Sequence, residues 1–262
     1  MSLLESLLLG FVQGASEFLP VSSSGHLVMT QVVLGIEVPG VLFEVAVHLA
    51  TLLSILLVYR TRVSELLVGA ASGDAEAWRY IGLVVVATIP AGLLGVLVQS
   101  RIEALFEAPL VAGIALLITG AILWSSRIPV DEADAPRPGW GAAFLIGVAQ
   151  AFALVPGISR SGATVVAALW LGIEAREAAA FSFLMAVPAM AGAAVLQIPE
   201  VQATGTSGLG IGVIIWGSAM AGVVGVLAIR TFNAMLSRRS FHLFAPYCWV
   251  VGGAYLAYLM LR

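Results

Sequence analysis

The chain has 262 residues, 60% of them hydrophobic and only 10% charged, with a mean hydropathy of +1.04. A soluble domain needs about a quarter of its residues charged to cover its surface, so this composition excludes an ordinary soluble fold and places the chain in a bilayer. The net charge of −3 says little, because in a membrane protein the positions of the charges matter more than their sum.

The twelve basic residues are all Arg, which excludes chemistry that requires a lysine, such as a Walker A loop or a Schiff base. The first residues show no basic region and no small-residue cleavage site, so no removable signal peptide is expected. The single cysteine, Cys248, has no partner for a disulfide and reads as packing.

In chain order, residues 3–35 are apolar at both ends and broken by a polar cluster. Their length permits a helix into the membrane, a turn, and a helix back out. Gln13 and Glu17 are four apart and share a helix face. Pro20 is expected to break that helix, and Ser22, Ser23, Ser24, Gly25 and His26 follow. A carboxylate, a run of hydroxyls and an imidazole are the parts for moving a proton to or from a nucleophile. The alternative for Glu17 is that it serves only as a counter-ion.

Apolar spans of the roughly 20 residues a bilayer requires are expected at 41–59, 80–98 and 109–125. The first carries Glu44 and His48 at i and i+4, either a pair that orients the site or two metal ligands, too few alone to define a metal centre. Residues 60–79 and 126–140 read as charged loops.

Residues 141–172 form a second broken hairpin around Pro156-Gly157-Ile158-Ser159-Arg160-Ser161-Gly162-Ala163-Thr164. Pro and Gly are expected to stop one helix, with Ser159 or Ser161 capping the next. The freed N–H groups at that helix N-terminus, beside the planar fork of Arg160, make an anion site. The other reading of these serines is close helix packing. Further spans are expected at 178–197, 209–229 and 244–261, while Trp78, Trp124 and Trp140 fall near span ends as interfacial anchors.

The two hairpins repeat one another. Gly10–Glu37 and Gly147–Glu174 align without a gap, so that Gln13 meets Gln150, Ser22 meets Ser159, and Ser24-Gly25 meets Ser161-Gly162. Each half is a hairpin plus three spans, an odd number, so the second half is expected to be inverted. The predicted fold class is an all-α integral membrane protein with two inverted-topology repeats, about 1–126 and 140–262, in a single polytopic domain. The hairpin tips are expected to meet near the midplane. Nine arginines then fall on one side: Arg60, Arg62, Arg79, Arg127, Arg137, Arg176, Arg230, Arg238 and Arg239. Arg101 and Arg262 fall on the other. The Arg-rich face is expected to be cytoplasmic, with both termini and the opening of the first hairpin outside.

At these residues the chain resembles a known family. QGASEFLPVSSSGHL resembles the E/Q-x-x-x-E and Ser-Ser-x-Gly-His motifs of the bacitracin-resistance type undecaprenyl-diphosphate phosphatases. PGISRSGAT at 156–164 is similar to that family's second signature, and the stretches at 43–60, 88–95 and 181–193 also resemble it. The resemblance implies hydrolysis of a polyprenyl diphosphate to the monophosphate and inorganic phosphate, which recycles a lipid carrier for cell-wall or glycan assembly. It implies a homodimer in the cell membrane, with interlocked repeats and a site open to the outer leaflet. Ser23 matches the proposed nucleophile, and Ser159, Arg160 and Thr164 match the phosphate-binding signature. At the first motif position this chain has Gln13, the non-ionisable option, and at position 48 it has His where the family pattern leads one to expect an amide.

The two readings together assign catalysis to Glu17, Ser23, His26 and Arg160. Substrate contacts are expected from Gln13, Ser22, Ser24, Gly25, Gly157, Ser159, Ser161 and Thr164. Glu44, His48 and Gln150 are expected to orient them. A divalent cation, Mg²⁺ or Ca²⁺, would bridge Glu17 and the diphosphate. The expected partners are the lipid substrate, the bilayer and a second copy of the chain, not nucleic acid. The rival reading is a transporter or flippase for a lipid phosphate or anion, which broken helices also serve. The acid-phosphatase type of lipid phosphatase is set aside, because it needs a lysine that this chain lacks.

Overall fold

The computed structural model describes residues 1–127, 134–205, 208–238 and 240–261. Arg239 and Arg262, both part of the sidedness count, lie outside the described residues.

The first helix, α1 (Leu3–Phe18), starts on a reciprocal cap: Glu5 N–H donates to Ser2 Oγ while Ser2 N–H donates to Glu5 Oε2. It stops two residues short of Pro20, because the residue before a proline is pushed out of the helical region, and Leu19 is extended. The second, α2 (Ser23–Leu34), returns alongside α1 and ends on Gly35 in the left-handed conformation. The same arrangement recurs as α8 (Trp140–Phe152) and α9 (Arg160–Trp170).

All six expected spans are helices: α3 (Leu42–Val58), α5 (Ala75–Leu97), α7 (Pro109–Ser125), α10 (Ala175–Leu196), α12 (Ile211–Ser237) and α13 (Phe244–Leu261), the last preceded by a 3₁₀ turn at Phe241–Leu243. Among the described residues four helical segments are long and apolar enough to cross a membrane alone, and up to six if each of two bent pairs is one span. Leu53, Leu93, Val223 and Val250 are exposed on the outer surface, as lipid-facing side chains are.

Several expected loops are helical instead. Residues 60–79 contain α4 (Arg60–Ala71), bent 77° from α3 at Tyr59, and the beginning of α5. Short helices α6 (Gln99–Phe106) and α11 (Ile198–Thr204) precede α7 and follow α10. The last loop starts late, because α12 runs on to Ser237 and carries Arg230 within it. In the second hairpin the stop comes early: α8 ends at Phe152, four residues before Pro156, and successive turns carry the chain to Ser159. The helical continuations share a cause, since hydropathy marks the apolar core of a helix and passes over its polar continuation, whereas α8 stops within apolar sequence.

The hairpins are exchanged between the halves: α1 packs on α12, and α8 packs on α5. Small residues permit both approaches. A Cβ on Gly10 would run into the Gly217 carbonyl, and one on Gly147, its repeat equivalent, into the Ala87 carbonyl. Under the first tip lies a chain of aromatic rings. Phe18 packs edge-on against Phe183 at 5.7 Å, Phe183 against Phe232 at 5.0 Å, and Phe232 against Phe241 at 5.2 Å. Cys248 is fully buried against Pro20.

Candidate active site

Each hairpin tip is closed by the same device. Ser22 caps α2 by accepting from Gly25 N–H at 3.3 Å, and Ser159 caps α9 by accepting from Gly162 N–H at 3.1 Å. In both, the capping hydroxyl lies 3.3 Å from the hydroxyl two residues on, Ser24 or Ser161. Ser159 is therefore the cap, not Ser161. Capping leaves the N–H groups of Arg160 and Ser161 without helical acceptors at the positive end of α9.

The tips differ in backbone strain. Ser22 has φ 69°, the one non-glycine residue among those described in the left-handed region. That turn aims its hydroxyl across the gap, where it also accepts from Gly157 N–H at 3.2 Å. Gly157 itself has φ 100°, and a Cβ there would meet Ala112 and Ala115 of α7. Thr119 of α7 fixes the far side, donating to the Gly157 carbonyl at 2.7 Å and accepting from Ser159 N–H at 3.0 Å.

Glu17 stands at the junction, buried near the end of α1. Its Oε1 accepts from Arg160 Nη2 at 2.6 Å, and its Oε2 accepts from Ser23 Oγ at 2.5 Å and Gln13 Nε2 at 3.2 Å. Arg160 Nη1 and Gln13 Oε1 are buried without partners, leaving one donor and one acceptor free beside the carboxylate. The structure thus brings together Gln13, Glu17, Ser22, Ser23, Ser24, Gly25, Gly157, Ser159, Arg160 and Ser161.

The remaining expected residues stand further back. Thr164 is fully buried, donating to the Arg160 carbonyl at 2.8 Å and lying 2.6 Å from Ser182 Oγ, so its hydroxyl supports the start of α9. His48 Nδ1 donates to the Glu44 carbonyl at 2.8 Å. Gln150 is buried and neither its oxygen nor its nitrogen has a partner. His26 has Nδ1 2.9 Å from the Ser22 carbonyl and Nε2 2.9 Å from the Tyr247 hydroxyl.

Sequence reasoning missed Thr119, Ser182 and Tyr247. Ser182 lies within 181–193, a stretch singled out by its resemblance, and so carried a signal. Thr119 and Tyr247 are single polar groups in apolar helices, with none. Among the described residues no group of three or more His, Cys, Asp or Glu side chains is placed to hold a metal ion.

Compared with known families, residues 6–254 match the one described as "Bacitracin resistance protein BacA". The chain belongs to that family. Curated relatives agree along their whole length. The chain is 37% identical to a protein of Desulfatibacillum aliphaticivorans, with 97% of each chain covered. It is 38% identical to one of Desulforapulum autotrophicum, with 96% of each covered. It is 40% identical to one of Salinibacter ruber, with 95% of this chain and 96% of the relative covered. All three are named undecaprenyl-diphosphatase. The two stretches that resemble the family's motifs are the hairpin tips, and they converge on Glu17 and Arg160.

Proposed function

We propose that this BacA-family protein is a membrane hydrolase that converts undecaprenyl diphosphate to the monophosphate and inorganic phosphate. The observation that carries the reading is the Ser23–Glu17–Arg160 junction, a hydroxyl on a buried carboxylate beside a guanidinium with a spare N–H. Carriage of an anion needs the Arg but has no use for a nucleophile already hydrogen-bonded to a base. The transporter reading is therefore not favoured.

In the first step the terminal phosphoryl group lies against Arg160 and the N-terminus of α9, which hold charge on the oxygens. Ser23 Oγ attacks the terminal phosphorus, its proton passes to Glu17, and the bridging P–O bond breaks to release the lipid monophosphate. In the second step water attacks the phosphoserine phosphorus and gives a proton to His26. The P–Oγ bond breaks, and Ser23 recovers its proton from Glu17. The buried, unpartnered Gln13 Oε1 beside Glu17 fits a divalent cation that takes its other ligands from phosphate and water. Such an ion would neutralise charge on the diphosphate.

The site belongs to a cell-membrane protein built as inverted repeats of about 1–126 and 140–262, with the Arg-rich loops cytoplasmic and the site facing the outer leaflet. Two copies associate as a homodimer. The sequence repeat, the exchange of hairpins between halves and the equivalent caps support the repeat architecture. A C-terminal reporter found in the cytoplasm would overturn the sidedness. The deciding experiment is phosphate release by purified protein from undecaprenyl diphosphate in detergent, beside Arg160→Ala. Release by the native protein alone supports the reading, whereas lipid binding without release under any cation condition returns it to a transporter.

A further inference from the structure

His26 is held on two sides by groups that fix its chemistry. The Ser22 carbonyl, 2.9 Å from Nδ1, can only accept, so Nδ1 carries the proton. In the neutral ring Nε2 is then the acceptor, and the Tyr247 hydroxyl 2.9 Å away donates to it. The rings also stack, with centroids 5.7 Å apart and planes within 7°. Tyr247 reaches the tip from α13, whose first turns are anchored by the fully buried Ala245 and by Cys248 against Pro20. Tyr247 is itself 45% exposed, so burial does not explain where its hydroxyl points.

The other base at the site is already committed, because Glu17 accepts from Ser23 at 2.5 Å. Resting on the phosphatase reading above, we infer that Tyr247 is the residue that positions His26 for the second, hydrolytic step. The Ser22 carbonyl fixes the tautomer, and the tyrosine ring and hydroxyl fix the orientation of the imidazole and of its Nε2 lone pair. The hydroxyl oxygen stays on that lone pair, so the attacking water passes its proton through the phenol, which takes one proton as it gives its own to Nε2, while the stacked ring keeps the imidazole in place. The water's oxygen bonds to phosphorus, and the P–Oγ bond to Ser23 breaks.

The test compares Tyr247→Phe, which keeps the stack, with Tyr247→Ala, which loses both contacts. Steady-state phosphate release from undecaprenyl diphosphate is measured alongside ¹⁵N spectra of histidine-labelled protein. The expected kcat falls about tenfold for Phe and about a hundredfold for Ala, within the range that a positioned general base contributes. KM should fall with kcat, leaving kcat/KM within about twofold, because the slowed step follows release of the lipid monophosphate. The His26 Nε2 signal should shift as the tyrosine hydroxyl is lost, while the Ser22 carbonyl keeps the proton on Nδ1. An unchanged kcat in both variants, or an unchanged His26 Nε2 signal, overturns the assignment. Failure of the native protein to release phosphate would instead sink the phosphatase reading, a result separable from loss of rate in the tyrosine variants alone. Tyr247→Phe keeps the test valid should Tyr247→Ala fail to fold.

Discussion

A Cβ placed on Gly25 would stand 2.9 Å from Cα of Gly157, which belongs to the other hairpin tip and is in contact across the site. That backbone contact sets the spacing at which Ser22 reaches Gly157 and Arg160 reaches Glu17. Gly25→Ala should push the tips apart and lower stability by about 1–3 kcal/mol, the usual cost of overpacking. Turnover should fall much further than the thermal midpoint suggests, because sub-ångström displacements act directly on the reacting groups. Phosphate release and thermal unfolding of the same detergent preparation check this. A variant with native turnover would show that the tips tolerate a wider gap.

Arg160 places Nη2 on Glu17 and leaves Nη1 free, a geometry a lysine cannot reproduce. Arg160→Lys should therefore lose about a thousandfold in kcat, the lower end of what an arginine contributes in phosphoryl transfer. Glu17→Gln alone should destabilise the fold by about 3–5 kcal/mol, because it leaves the guanidinium buried without a counter-ion. Combining Glu17→Gln with Arg160→Met should restore most of that stability and none of the turnover. Thermal midpoints and turnover of the single and double variants, read together, decide whether the pair is catalytic or merely structural.

The spans were legible because bilayer thickness dictates their length and lipid dictates their composition, as in 178–197 and 244–261. The tips were legible for a different reason: polar residues at membrane depth need a purpose, and the aligned Ser22 and Ser159 turn out to cap their helices alike. Helix α4 was not legible, since Arg60-Thr61-Arg62 reads equally well as a loop. Nor was the isolation of Gln150. The alignment pairs it with Gln13, but one turn further on the second repeat has Leu154 where the first has Glu17, so the amide has no carboxylate to meet. Tyr247 lies 221 residues from His26 and looks, in sequence, like one more aromatic near a membrane interface.

Ser23 and Ser24 are adjacent hydroxyls with different partners. Ser23 donates to Glu17, whereas Ser24 lies 3.3 Å from the capping hydroxyl of Ser22. Ser23→Ala should cost at least about a hundredfold in kcat, as loss of a nucleophile–base pair does. Ser24→Ala should stay close to native. Acid quenching of a rapid-mix reaction should trap phosphoserine at position 23. Full turnover by Ser23→Ala, with no trapped phosphoserine, would assign the attack to water in a single step.

Gln13 presents Nε2 to Glu17 and leaves Oε1 buried without a donor, so its acceptor face is the natural place for a cation beside the carboxylate. Gln13→Glu would add a second carboxylate one helical turn from Glu17. Without a cation the two negative charges repel, so turnover in chelator should fall below the native value. With a cation the same charges cooperate, because added ligand charge strengthens Mg²⁺ and Ca²⁺ binding. The half-saturating cation concentration should drop about tenfold, equivalent to roughly 1.4 kcal/mol of binding free energy. Cation titrations of turnover and, without substrate, of the thermal midpoint measure this in two independent ways. The same titration curve for both proteins would place any cation away from Gln13 and leave Oε1 to the substrate or to water.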